Sequence, residues 1–376
     1  MSVTSSEMKL KKSVSVVEGP TNGGVVGASV IVSGVRHSIF PRVSRSERTL
    51  GVIRLRKIFL TNENNSQEPA YSSMVYLNFP STAGDRFYIA SGTQTDTGAD
   101  IDATPPAWTG CGKLSALAAS GSSSIQVLME SNDFEFPANS VIHVSSNYKT
   151  GQTAVTGVNP GASVTYSGGN WIAAAHGGDT VYPNGIWMGN GIVATDDGTG
   201  SEEWVTVAQS NPYTYAGNVV TINLQETLVN SYTTTNTWVG GCVGVTDVVA
   251  SVTDIAKVSP SGSYNLGYPI VPYNRGCIED SITITFTGAG TFTASGLRAG
   301  NMGSGSIASA FSPINPATST PYLLIPVGFF TGSWAAGNTL TFNTHPAALP
   351  VWLKEVVPAG TLQDANNVFG LGYYWE

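Results

Sequence analysis

Hydrophobic and polar residues alternate along most of the chain, the pattern expected of β-strands with one buried face. The clearest example is 281–287, in which Ile282, Ile284 and Phe286 alternate with serine and threonine. It ends at a Gly-Ala-Gly turn, and a second strand is predicted to begin at Thr291. The same alternation predicts strands at 74–79, 85–90, 124–129, 140–146, 203–209, 219–224 and 340–342. Closely spaced strands separated by Gly, Asn, Asp and Ser are typical of antiparallel sandwiches and barrels.

Evidence for helices is sparse. Apolar residues between Val245 and Ile255 have helical spacing, with Thr246 or Asp247 as a possible N-cap, but alternation at 243–245 favours a strand, and both interpretations stay open. A single turn is possible at 116–119. Charged residues make up only 11% of the chain, whereas helices need Lys, Glu and Arg on their wet faces. We therefore predict an all-β protein of two or three antiparallel β-sandwich or barrel-like modules with very little helix.

The predicted modules differ in composition. Residues 1–120 form an N-terminal β region that carries a basic segment, and residues 121–249 form a middle β module rich in Gly and Trp. Residues 250–376 form a C-terminal β-sandwich that follows a Ser/Gly/Tyr/Pro-rich connector.

Overall composition excludes several classes of protein. A hydrophobic content of 41% can build cores, so disorder is not expected, and no run approaches the ~20 apolar residues of a membrane-spanning helix. The charged N-terminus does not read as a secretory signal. The three cysteines (Cys111, Cys242 and Cys277) are widely spaced and odd in number, which argues against a disulfide framework or a zinc cluster. Synthesis in a reducing compartment fits this usage.

Charge is distributed unevenly. Residues 1–86 hold 11 basic and 6 acidic residues, net +5, so residues 87–376 carry −13 of the total of −8. Basic residues are concentrated at 36–57, and the strand predicted at 53–60 projects Arg54 and Arg56 from one face. We predict that this segment is a subunit interface, because arginine is enriched at interfaces and captures carboxylates in a bidentate manner. The candidate interface residues are Arg42, Arg45, Arg48, Arg54, Arg56 and Lys57.

The basic segment has two other interpretations. Nucleic-acid binding is disfavoured because the acidic remainder of the chain would repel phosphate. The interpretation that these are exposed arginines scattered over the surface, with no partner, stays open.

Aromatic residues of the middle module allow a second binding hypothesis. Trp171, Tyr182, Trp187 and Trp204 could present ring faces to sugars of a host surface. The competing interpretation, which we favour, is ordinary packing, because aromatic side chains bury large areas.

No arrangement typical of catalysis is found. The four histidines lack metal-ligand spacing, and His176 with Asp179 is better explained as a polar loop. The acidic stretch 196–203 lacks the EF-hand order and is interpreted as a solvated hairpin tip, and the glycines at 189–191 do not open a dinucleotide-binding helix. Sequence spacing cannot reveal a facing pair of carboxylates. We predict no catalytic, metal-binding or cofactor-binding residues and no enzyme activity.

Both ends of the chain resemble virion structural proteins encoded among the tail genes of tailed bacteriophages, in particular those of Mu-like siphophages. The segments that carry the resemblance cover well under half of the chain and are 24–27 (GVVG), 47–60 (ERTLGVIRLRKIFL), 91–97 (SGTQTDT), 337–344 (GNTLTFNT), 350–354 (PVWLK) and 358–360 (PAG).

This resemblance implies a non-enzymatic structural subunit of the virion, made in the bacterial cytoplasm and placed in the tail baseplate or tail tip. It would assemble as a trimer or ring with copies of itself and with neighbouring tail proteins, without cofactor, nucleic acid or membrane insertion. The alternatives are a glycan-binding tail protein for host attachment, a head decoration protein, or an enzyme acting on an envelope polysaccharide.

Overall fold

The protein is all-β, as the alternation predicts. The computed structural model describes residues 3–81, 83–146, 148–151, 164–167, 170–173, 186–188, 192–196, 200–235, 237–364 and 367–376. Within these residues the strand pairings are antiparallel, and the two helices, α1 (Arg45–Leu50) and α2 (Gly98–Ala103), have six residues each. No helix in the described part of the chain is long and apolar enough to cross a membrane.

The strands are numbered in chain order. Those of the N-terminal part are β1 (Met8–Ser15), β2 (Gly23–Val30), β3 (Val52–Asn62), β4 (Ala70–Phe79), β5 (Arg86–Ser91), β6 (Cys111–Leu114), β7 (Ser124–Leu128) and β8 (Val141–Ser145). The middle part contains β9 (Tyr148–Gly151), β10 (Val164–Ser167), β11 (Asn170–Ala173), β12 (Ile186–Met188), β13 (Ile192–Asp196), β14 (Glu202–Thr206), β15 (Tyr213–Ala216), β16 (Val219–Asn223) and β17 (Trp238–Val248).

The C-terminal part has mostly short strands. They are β18 (Ser251–Val258), β19 (Gly262–Tyr264), β20 (Val271–Pro272), β21 (Asp280–Phe286), β22 (Thr291–Gly296), β23 (Gly300–Ser306), β24 (Ile314–Asn315), β25 (Thr320–Pro321), β26 (Leu323–Leu324), β27 (Phe330–Gly332), β28 (Thr339–His345), β29 (Ala348–Val357) and β30 (Gly370–Tyr374).

A five-stranded sheet in the order β2-β1-β3-β29-β5 is the centre of the molecule. Strands β3, β29 and β5 of this sheet are buried on both faces over most of their length, so alternate residues enter different hydrophobic clusters. Tyr88, Ala90 and Trp352 pack into the cluster formed with the nine-stranded sheet, which contains the path β14-β8-β17-β6-β7-β16-β15. Ile89 and Val351 belong to the cluster on the opposite face.

A separate cluster fills the C-terminal module, whose sheet has the order β18-β28-β21-β22-β23. Its centre is aromatic: Phe286 stacks on Trp334 with ring centroids 4.3 Å apart, and Phe292 packs against Phe286 at 5.8 Å. The alternation that predicts β21 is preserved in its burial, with Ile282, Ile284 and Phe286 buried.

Strands β17, β29 and β30 cross the predicted module boundaries. β17 pairs with β4 as well as with β6 and β8, so it joins the predicted first and middle modules. β29 lies between β3 and β5, and β30 pairs with β4. Residues 348–376 therefore complete the N-terminal sheets, whereas we had assigned them to the C-terminal sandwich.

The ambiguous segment at 245–255 is not helical. It forms the end of β17 and the first half of β18, consistent with the alternation rather than with the helical spacing. Residues 116–119 form a bend and an isolated bridge, in which Ala118 pairs with Tyr232.

Candidate assembly surface and the buried charges beneath it

Strand β3 carries three of the six predicted interface residues, and the structure places all three in the interior. The exposed fractions of Arg54, Arg56 and Lys57 are 2%, 5% and 1%. β3 is an inner strand, flanked by β1 and β29, and its residues from Arg56 to Asn62 are buried on both faces of the sheet.

Arg54 is paired with a carboxylate of the adjacent strand. Its Nη2 lies 2.5 Å from Glu355 Oε2, its Nε donates to the same oxygen at 2.7 Å, and the two residues are opposite each other in the β3–β29 register. Glu47 of α1 lies 3.7 Å from Nη1. Burial raises the pKa of Glu355 to about 7 and outweighs the opposing effect of Arg54.

Arg56 lies on the same face of β3 as Arg54, as the alternation predicts. Phe40 covers both guanidinium groups, with its ring centroid 5.9 Å from Cζ of Arg54 and 5.6 Å from Cζ of Arg56. Arg56 forms an ion pair with Glu18 and donates to the carbonyl of Leu55 at 2.6 Å.

Lys57 points to the opposite face and is paired with Asp96. Its Nζ lies 2.5 Å from Asp96 Oδ1 and donates to the carbonyls of Gly24 at 2.7 Å and of Asp96 at 3.0 Å. Burial lowers the pKa of Lys57, and the hydrogen bond from Lys57 to Asp96 opposes that shift.

These contacts correct our interpretation of the basic strand. We expected Arg54, Arg56 and Lys57 to meet acidic groups of a neighbouring subunit, but each meets a carboxylate of its own chain. Glu355 is 301 residues from Arg54 in sequence, so this pairing is not visible from local spacing.

The other three predicted residues are at the surface. Arg42 and Arg45 are exposed and Arg48 is half-buried, and none of them forms an ion pair with a described residue. Two large apolar side chains follow them, Leu50 with 79% and Ile53 with 65% of its surface exposed. We call these five residues the α1 patch. Its combination of arginine and exposed aliphatic side chains is typical of protein interfaces.

A capping box fixes the helix that carries part of this patch. Ser44 Oγ accepts from the amide of Glu47 at 3.2 Å, and the amide of Ser44 donates to Glu47 Oε2 at 2.6 Å. Arg45 and Arg48 are three residues apart on α1 and so project from neighbouring positions on the helix surface.

Of the four aromatic residues proposed for sugar contact, the structure describes only the surroundings of Trp204. Its ring lies 5.2 Å from that of His143 and 4.2 Å from that of Tyr374, and it is half-buried. This arrangement agrees with the packing interpretation. Tyr182 lies outside the described residues, and so do the side chains of Trp171 in β11 and Trp187 in β12. His176 and Asp179 lie outside them as well.

An open groove of about 390 Å³ lies beside β17 and β29, and His345 lines it. His345 Nδ1 is 2.9 Å from Glu279 and Nε2 is 2.9 Å from the hydroxyl of Thr253. This resembles an acid–base–nucleophile chain, but the Thr253 hydroxyl donates its proton to Asp254. The proton of the Thr253 hydroxyl is therefore directed at Asp254 and not at His345, so this arrangement is not that of a base activating a nucleophile.

The cysteines offer no nucleophile. All three are free and buried, and burial raises the pKa of the Cys277 thiol to about 12 and the pKa values of Cys111 and Cys242 as well. Thiols with such pKa values stay protonated at neutral pH.

A group of buried acids lies near the C-terminal segment. Asp85 accepts from Asn367 Nδ2 at 2.7 and 2.8 Å and from Ser81 Oγ at 2.5 Å. Burial, with a further contribution from Asp85, raises the pKa of Glu130 to about 8. Glu130 Oε2 is buried and has no hydrogen-bond partner among the described residues.

Within the described ranges, no three His, Cys, Asp or Glu side chains are grouped as metal ligands. Comparison with known proteins found no matching family model, no similar curated protein and no similar solved structure.

Proposed function

We propose that the protein is a non-enzymatic structural subunit of a bacteriophage virion, located in the tail baseplate or tail tip. It assembles with copies of itself and with neighbouring tail proteins. The resemblance of its two ends to virion proteins motivates the proposal, and the observation that carries it is the α1 patch.

The arginines of the α1 patch differ from Arg54, Arg56 and Lys57 in having no ion-pair partner among the residues that the structure describes. Arg54, Arg56 and Lys57 use carboxylates of their own chain, whereas Arg42, Arg45 and Arg48 have charges that no described carboxylate balances. Residues 87–376 carry a net charge of −13, so a second copy offers an acidic surface. Leu50 and Ile53 add apolar area, which contributes roughly 25 cal/mol per Å² when removed from water.

Self-association of the purified full chain tests the proposal. We expect oligomers whose population falls as salt is raised, because exposed charges are screened within roughly 10 Å at moderate ionic strength. Arg45→Glu should shift the mass distribution measured by mass photometry towards the monomer.

Arg275→Glu is the matched control, since Arg275 is exposed in the C-terminal module and the substitution changes the net charge equally. It should leave the distribution unchanged. Equal effects of the two substitutions, or a wild-type chain that is monomeric at every concentration, would contradict assembly through the α1 patch.

A further inference from the structure

We propose that Lys57 and Asp96 condense within the folded chain to form an intramolecular isopeptide bond between Nζ of Lys57 and Cγ of Asp96. The inference does not depend on the proposed function. It starts from the buried ion pair that these residues form on the face of the central sheet opposite to Arg54.

The two reacting groups are in contact and shielded from water. Nζ lies 2.5 Å from Asp96 Oδ1, and the exposed fractions of the Lys57 and Asp96 side chains are 0% and 10%. The aromatic rings of Phe59 and Trp352 lie 5.0 and 5.9 Å from Nζ. Burial lowers the pKa of Lys57 and so favours the neutral amine that amide formation requires.

The two oxygens of the Asp96 carboxyl group have different surroundings. Trp352 Nε1 donates to Oδ2 at 2.9 Å, which polarises that C–O bond and holds it in place. Oδ1 faces Nζ at 2.5 Å and has no other partner among the described residues. Oδ2 is therefore the oxygen that the amide retains, and Oδ1 is the oxygen that leaves.

Both backbones are fixed before the reaction. Lys57 is on the inner strand β3, and the residue opposite it in the register is Trp352 of the neighbouring strand β29. The loop of Asp96 is held because the amide of Gly24 donates to the Asp96 carbonyl at 2.8 Å and the amide of Asp96 donates to Thr93 Oγ1 at 3.1 Å. Such positioning replaces an encounter between two free groups by a step within one structure.

The step balances without an oxidant or a co-reactant. The ammonium group transfers one proton to Oδ1, and the resulting amine attacks Cγ and forms the C–N bond. A second proton then passes from nitrogen to Oδ1, the Cγ–Oδ1 bond breaks and one water leaves. The single remaining N–H can donate to the carbonyl of Gly24, which accepts from Nζ at 2.7 Å in the unreacted pair.

The other ion pairs among the described residues lack this combination. Guanidinium groups are not amine nucleophiles, so Arg54 and Arg56 cannot react in this way. Lys11 pairs with Glu63, but 17% and 26% of these side chains remain exposed, so water solvates both charges. Since all three cysteines are free, the isopeptide bond would be a covalent cross-link in a chain without disulfides.

The intact mass of the purified, denatured full chain decides the proposal. We expect a mass lower than that of the sequence by one water, and a proteolytic digest should contain a branched peptide joining residue 57 to residue 96 with no cleavage after Lys57. Lys57→Met and Asp96→Ala should each have the full mass of their own sequences.

Lys11→Met is the control for loss of an ion-paired lysine, and it should keep the deficit of one water. A folded wild-type chain with the full mass of its sequence, or a deficit that persists in Lys57→Met, overturns the proposal. The wild-type measurement suffices even where a variant does not fold.

Discussion

At the scale of single residues, the main feature is a set of charges placed inside the protein. Arg54, with 2% of its surface exposed, is held by Glu355, also 2% exposed, and Phe40 covers its guanidinium group. Removing two charges from water is costly, and their mutual attraction offsets that cost only when both partners are present. The pair therefore has large consequences when one member is lost.

Arg54→Met should lower the free energy of unfolding by about 3–5 kcal/mol at pH above 8, because it leaves the Glu355 carboxylate buried and unpaired. Loss of Arg54 removes the group that lowers the pKa of Glu355, so this pKa rises further above 7. A raised carboxyl pKa means that stability is lost as pH increases, so the cost should shrink towards pH 5. Chemical denaturation at the two pH values measures this difference.

Lys11→Met is the matched control for Arg54→Met, since it removes a cation from a solvent-accessible pair and should cost less than about 1 kcal/mol at both pH values. The double variant Arg54→Met/Glu355→Leu should recover most of the loss. A pH-independent effect of Arg54→Met would show that its cause is packing rather than the buried charge.

Glu130→Gln should stabilise the protein at high pH only. In the folded protein the Glu130 carboxyl group stays protonated up to about pH 8, whereas in the unfolded chain it loses its proton near the ordinary pKa of glutamate. The wild type therefore loses stability as pH rises from that ordinary pKa towards 8. The glutamine side chain is neutral at every pH and avoids this loss, by a gain on the order of 3 kcal/mol at pH 9 and close to none at pH 5.

Thermal unfolding across this pH range checks the Glu130 prediction, with Glu135→Gln as the control from the same loop region. A stabilisation of Glu130→Gln that is equal at pH 5 and pH 9 would rule out the carboxyl charge as its cause.

At the scale of secondary-structure elements, strands were predictable and helices were not. Alternation identified β21 and β22 because each has one face in the core and one in solvent. The same reasoning predicted that Arg54 and Arg56 share a face of β3. It also assumed that one face was exposed to solvent, whereas β3 is buried on both faces from Arg56 to Asn62.

Helix α1 was missed, although its signal was present. Ser44 followed three residues later by Glu47 is the S-x-x-E pattern of a capping box. A helix of six residues contains less than two turns, so hydrophobic periodicity cannot reveal it.

Ser44→Ala should destabilise α1 by about 1 kcal/mol, because the amide of Glu47 loses its acceptor. Since α1 carries Arg45 and Arg48, self-association should weaken together with stability. Ser46→Ala removes the 3.0 Å contact between the Ser46 and Ser44 hydroxyls but keeps the bond from the Glu47 amide to Ser44 Oγ, so it should have little effect on either. Hydrogen exchange at 45–50 and mass photometry measure the two consequences, and unchanged exchange in Ser44→Ala would contradict the role of the cap.

At the scale of the whole molecule, the fold depends on pairings between distant parts of the chain. β29 completes a sheet begun by β1 and β3, and β30 pairs with β4, so the end of the chain lies against its first part. Alternation reports which face of a strand is buried but not which strand lies beside it. Consequently, the sequence allowed the all-β class to be predicted but not the inclusion of 348–376 in the N-terminal sheets.

The same limit applies to the candidate site. The concentration of basic residues at 36–57 was visible in the sequence, but its division into buried and exposed residues was not. That division depends on Glu355 and Asp96, which reach β3 only in the folded chain. What remains exposed, the α1 patch, is the surface on which the proposed assembly depends.

The central claim is that this chain is a subunit of a phage virion, and cryo-EM of phage particles purified from the organism that carries its gene tests this claim most directly. The account predicts several copies of this fold in the tail, with Arg42, Arg45 and Leu50 buried against acidic or apolar groups of a neighbouring subunit and with Arg54 paired to Glu355 of the same chain. Absence of the fold from the virion, or its presence with those three side chains in open solvent, would contradict it.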